Sequence, residues 1–152
     1  MKAILLLGLI ALPAGAAPLQ WRPFAQAPVV LRQQAVRTVS NPQAARFARV
    51  QVPRQKTPLY LVDANSLADC GSGGCSLDGY IPSGKEYTKV FEVLLLSRTP
   101  PPATPNNFVT VTTQLKHGLP CLRFPIVSQP GDALWCFTGE RYTFQEVLGG
   151  IQ

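Results

Sequence analysis

Four cysteines and one histidine are the residues of this chain best suited to chemistry, and their spacing limits what that chemistry can be. Cys70 and Cys75 enclose Gly71-Ser72-Gly73-Gly74, while Cys121 and Cys136 lie farther along the chain. A dithiol redox centre uses C-x-x-C with one lowered thiol pKa, and that motif is absent. C-x4-C followed by C-x14-C is poor zinc spacing, and haem attachment needs C-x-x-C-H, also absent. His117 sits in Lys116-His-Gly118, where a turn is expected, with no G-x-S-x-G or other nucleophile signature. Asp63-Ala-Asn65-Ser-Leu-Ala-Asp69 begins like a calcium loop, but Leu67 and Ala68 stand where a ligand and a glycine are needed. Glu86 and Glu92 share a face of one extended run, about 20 Å apart, too far for a glycosidase pair. Gly71 to Gly74 could offer backbone N–H groups to an anion, yet neither a helix start nor a lysine follows. No catalytic residue, metal site or cofactor is expected.

Compartment explains the cysteines better. Met1-Lys2, the apolar run Ala3 to Leu12, Pro13 and the small residues Ala14, Gly15 and Ala16 form a secretory signal pattern, with cleavage after Ala16. No later segment reaches the ~18 apolar residues of a membrane helix, so no transmembrane anchor is expected. The protein is read as exported, to the periplasm or beyond the cell, where four cysteines pair in one of three ways. Ser128 to Asp132 resembles a hairpin turn. A symmetric register about it sets Cys121 opposite Cys136, and Leu122 opposite Trp135 on the other face with Phe124, Ala133 and Phe137. Cys70 and Cys75 then close a short loop, their glycines being free to take positive φ. Loop entropy favours these bridges by about 2 and about 3 kcal/mol, and a crossed bridge by about 4, so locality alone selects the local pairs.

The elements around the cysteines read as strands. Beyond Pro58, seven runs are separated by turn residues: Leu59–Ala64, Cys75–Ile81, Lys85–Ser97, Asn107–Leu115, Cys121–Val127, Ala133–Thr138 and Arg141–Leu148. Tyr87, Phe91, Val93 and Leu95 are expected on one face of the third. The proline segment Thr99 to Pro105 cannot join a ladder. The expected fold is mainly β, a small antiparallel sandwich, roll or barrel of about seven strands. Ser83-Gly-Lys-Glu-Tyr-Thr88 is echoed by Thr138-Gly-Glu-Arg-Tyr-Thr143, which suggests two similar turns launching strands with Tyr87 and Tyr142 at the core edge.

Ahead of this body, residues 17–57 carry seven basic residues and no Asp or Glu, whereas residues 58–152 have six basic and eight acidic. The division is therefore a signal at 1–16, a basic proline-containing arm or linker at 17–57 and a disulfide-stabilised β-domain at 58–152. Trp21 to Phe24 and Ala27 to Leu31 read as extended, and Asn41-Pro42 as the cap of a short helix from Gln43 to about Arg49. Arg32, Arg37, Arg46, Arg49 and Arg54 are candidate contacts for an anionic partner. They come singly, without the density of a nucleic-acid patch, so no specific nucleic acid is expected. The arm could equally pack against the acidic body.

The run from C-G-x-x-G-C (Cys70 to Cys75) through a glycine turn to Tyr87, Lys89 and Val90 resembles small, uncharacterised secreted bacterial β-domains over about twenty-five residues. That resemblance implies bacterial export and pairing of the strands beside the cysteine turn, and no activity. The expected function is a non-catalytic binding or structural protein of the bacterial envelope, its partner an unknown protein or an anionic envelope component. Gly71, Ser72, Gly73 and Gly74 form a possible binding loop. The alternatives are a hydrolase using His117, or an inhibitor of a secreted enzyme.

Overall fold

The computed structural model describes residues 19–95 and 108–149. The signal pattern and the proline segment Thr99 to Pro105 lie outside the described residues. Among the described residues ten strands occur in chain order: β1 (Arg22–Pro23), β2 (Arg46–Val50), β3 (Leu59–Asp63), β4 (Cys70–Gly71), β5 (Gly74–Ser83), β6 (Glu86–Leu95), β7 (Thr110–Lys116), β8 (Leu119–Pro125), β9 (Asp132–Phe137) and β10 (Tyr142–Leu148). One α-helix among the described residues, α1 (Val29–Ala35), lies between β1 and β2 with a short 3-10 turn on either side. All pairings are antiparallel. The first sheet runs β1-β2-β3-β5, with β4 and β6 also on β5, and the second runs β10-β9-β8-β7. The fold is mainly β, and of the three expected shapes it is the sandwich.

Side-chain alternation builds the interior. Ala48, Val50, Leu59, Leu61, Leu77, Phe91 and Val93 of the first sheet meet Val111, Leu122, Phe124, Phe137 and Tyr142 of the second. Tyr142 is buried, and its hydroxyl donates to the Pro120 carbonyl at 2.7 Å. Burial pushes that phenol pKa upward. Cys121, Leu134 and Cys136 form a smaller cluster with Leu148. The expected register about the 128–132 turn is present: Leu122 faces Trp135, Arg123 faces Leu134, and Phe124 faces Ala133.

The N-terminal region corrects the expectation of an extended arm. Phe24, Ala27, Leu31, Ala35 and Val39 pack with Phe47, Tyr60, Val62 and Tyr80, so residues 24–39 cover the outer face of the first sheet. Residues 29–35 are helical rather than extended because Leu31 and Ala35, one turn apart, share that buried stripe. The helix expected from Gln43 to Arg49 is replaced by β2, which pairs along all of β3 from Arg46↔Asp63 to Val50↔Leu59. Asn41 does cap, its Oδ1 accepting from the Gln43 and Ala44 amides, but only for a turn. A buried β3 offers β2 a full ladder, and that outweighs a local cap worth about 1 kcal/mol.

Strand β6 departs from simple alternation. Tyr80 pairs with Lys89 while its neighbour Gly79 pairs with Phe91, so Val90 is an extra residue. This bulge reverses the phase of the strand. Tyr87 therefore leaves the face of Phe91, Val93 and Leu95 and packs edge-on against Tyr60, ring centroids 5.4 Å apart, under the helical layer. The expectation that all four share a face is corrected by that one residue.

Candidate functional site: a groove on the β6 and β10 flank

The cysteine turn is a closed staple. Cys70 bonds Cys75, and Cys121 bonds Cys136. Gly71 to Gly73 are exposed, and of the turn's glycines only Gly74 takes positive φ, at 107°. No cysteine among the described residues is free for redox or metal chemistry. A Cβ on Gly73 would lie 3.0 Å from Leu94 Cδ1, so the turn rests against the outer side of β6.

The five candidate arginines do not assemble into one site. Arg46 is committed internally: its Nη2 donates to the buried Asp63 at 2.7 Å and its guanidinium lies over Trp21. Arg32 is half-buried in α1, Arg37 follows that helix, and Arg54 occupies an exposed turn at φ 65°. Arg49 is exposed, reaches Gln51 Oε1 at 3.4 Å, and lines a hollow of about 430 Å³ together with Arg22, which lay outside the candidate set. His117 is exposed in the β7–β8 turn at φ 49°, near Gly139. Among the described residues no side chain makes a hydrogen bond or ion pair with its imidazole.

The sequence reading missed a buried polar cluster between the first sheet and the helical layer. Asp78 Oδ2 accepts from Thr38 Oγ1 at 3.0 Å, Tyr80 OH at 3.1 Å and Lys89 Nζ at 3.0 Å. Lys89 also reaches Glu92 at 2.9 Å. Burial alone would lower the Lys89 pKa, but hydrogen bonds to Glu92 and Asp78 outweigh it and the net shift is upward. Lys89 is thus held as a cation and is no nucleophile at neutral pH. The cluster ties residue 38 to β5 and β6. Its one sequence signal was a charged residue in the middle of an apolar strand, Leu77-Asp78-Gly79-Tyr80.

Burial, with the Asp78 charge adding to it, pushes the Tyr80 phenol up to about 12. A raised folded-state pKa means the neutral phenol is favoured in the fold. That stabilisation is complete below the ordinary value of 10.0 and is lost as pH rises toward about 12. Urea midpoints should fall across this window, and Tyr80→Phe should flatten the fall. A slope unchanged in the variant would remove Tyr80 as its source.

The remaining feature is a cleft on the flank where β6 and β10 are the sheet edges. Among the described residues the two sheets are not joined here by a strand ladder. One hollow of about 320 Å³ is bounded by Val93, Leu95, Phe124, Ile126, Val127 and Trp135. A second of about 400 Å³ lies along Val90 to Glu92 and Arg141 to Phe144, and Trp135 borders it too. Trp135 stands edge-on to Phe124 at 6.3 Å, and Phe91 contacts both Phe124 and Tyr142. Leu94, Val127 and Phe144 are 57%, 65% and 51% exposed along this flank, more apolar surface than a solvated edge requires. Sequence reasoning missed the groove because its walls come from β6, β8, β9 and β10, which only the fold brings together.

No family model, curated protein or solved structure matches this chain. Among the described residues, no group of His, Cys, Asp and Glu could hold a metal ion. No helix there is long and apolar enough to cross a membrane.

Proposed function

We propose that this protein is an exported, non-catalytic binding module of the bacterial envelope whose capture surface is the groove centred on Trp135. One observation carries the reading: an apolar hollow and an adjoining one of mixed lining share a single half-buried tryptophan on the flank between β6 and β10. Aromatic side chains that combine large apolar area with few rotatable bonds are the usual anchors of binding surfaces. Export is supported by the signal pattern at 1–16 and by two disulfides that suit an oxidising compartment.

Capture from an envelope extract, using oxidised protein, tests the site. Trp135→Ala should lower recovery of the specific partner at least tenfold, with the thermal midpoint followed in parallel to separate lost binding from lost folding. A second reading, an anionic envelope component, is favoured only by Arg22 and Arg49 lining one hollow. If the Arg22→Ala, Arg49→Ala double variant abolishes capture and Trp135→Ala does not, the contact surface lies there and the groove reading falls.

A further inference from the structure

We propose that the groove takes an extended peptide, added as a further strand to the free edge of β6 along residues 91–95. This deepens the binding reading above and rests on it. Among the described residues β6 pairs only with β5, so alternate N–H and C=O groups on its other side have no strand partner. An open edge of this kind is a template for another backbone, and natural proteins normally block it with bulges, inward charges or a covering element.

Among the described residues those devices occupy the first half of β6 only. Gln34 Oε1 of the helix accepts the Tyr87 amide at 2.8 Å, Lys89 turns inward to Asp78, and the Val90 bulge follows. Beyond the bulge, none of these devices covers residues 91–95. Their edge borders both hollows, with Phe91, Val93 and Leu95 directed to the interior. A peptide strand there would satisfy the exposed backbone groups and turn every second side chain toward Trp135 and Phe124. Lipid chains and sugars offer no matching ladder of donors and acceptors.

Charge narrows the occupant further. Of the two charged residues lining the groove, Glu92 is paired at 2.9 Å with Lys89, a cation it shares with Asp78. The exposed Arg141 side chain makes no ion pair among the described residues. The fitting peptide alternates apolar residues and carries one carboxylate to meet Arg141.

A phage-displayed library of ten-residue peptides, panned on the oxidised full chain, is the probe. Enriched sequences should alternate apolar residues and include Asp or Glu. The best synthetic peptide should slow amide exchange within residues 91–95 and leave 87–89 unchanged. Its alternately N-methylated form should bind at least tenfold more weakly. Arg141→Ala, at an exposed position that leaves folding intact, should cost severalfold in affinity. No enrichment, enrichment without alternation, or indifference to N-methylation would overturn strand addition. So would protection, in dilute free protein, of the alternate amides of 91–95 that point away from β5, or their protection only as the protein self-associates. If any of these occurs while Trp135→Ala still abolishes envelope capture, the groove remains the binding site and only its strand-like occupant is excluded.

Discussion

Gly79→Ala should lower the stability of this protein by about 3 kcal/mol, near the upper end of overpacking costs. A Cβ at residue 79 would lie 2.0 Å from Phe91 Cε1, 2.3 Å from Cδ1 and 2.7 Å from Cζ. The ring has little room to yield, because Phe91 is held edge-on by Tyr142 at 5.2 Å and by Phe124 at 6.3 Å. The alternative, moving β5, would strain its ladders with β3 and β6 at once. A drop of roughly 10 °C in the thermal midpoint is expected for a domain of this size. Phe91→Leu added to Gly79→Ala should recover part of the loss, since it removes the clashing ring edge. A midpoint unchanged by Gly79→Ala would show that the close approach of strand and ring does not exist in solution.

The second large effect concerns the bridges, and they should not be equivalent. Loop entropy assigns about 3 kcal/mol to Cys121–Cys136 and about 2 kcal/mol to Cys70–Cys75. Burial widens the gap. Cys121 and Cys136 are 0% and 2% exposed and pack with Leu134 and Leu148, so replacing both by alanine also removes buried sulfur from that cluster. Cys70 is half-buried beside exposed glycines. Urea unfolding of the two paired Cys→Ala variants should therefore rank Cys121–Cys136 as the costlier loss. Limited reduction of native protein should open Cys70–Cys75 first. A reversed ranking, or peptide mapping that joins Cys70 to Cys121, would discard this account.

How much of this was legible beforehand depended on whether the signal was local. The β8–β9 register followed from a turn and two alternating runs, and it carried the Cys121–Cys136 bridge with it. Strands β3 and β5 to β10 announced themselves by alternation and turn residues. The N-terminal layer did not. Helix α1 has no side-chain cap and contains two β-branched valines at its start, so isolated propensity argues against it. It exists because Leu31 and Ala35 find Tyr80, Val62 and Phe47 across the sheet. Strand β2 was hidden behind a genuine Asn41 cap, and the short β1 and β4 had too few residues to show a period. The groove had no linear signature at all, and the bulge that shapes its edge is defined only by two strands counted against each other.

That bulge gives β6 two reading frames. Up to Lys89, odd-numbered side chains serve the helical layer, as Tyr87 does with Tyr60 and Lys89 with Asp78. From Phe91 onward, odd-numbered side chains serve the opposite layer. A single strand therefore stores the instructions for both faces of its sheet, divided at Val90. The division frees the second half from the contacts that commit the first, so substitutions along residues 91–95 can change the outer flank without disturbing the N-terminal covering. Removing Val90 would leave Lys89 opposite Tyr80 and Phe91 opposite Gly79 in an unbroken ladder, with every side chain beyond still on its present face; the extra residue resets the parity of the strand and adds one more apolar side chain to the core.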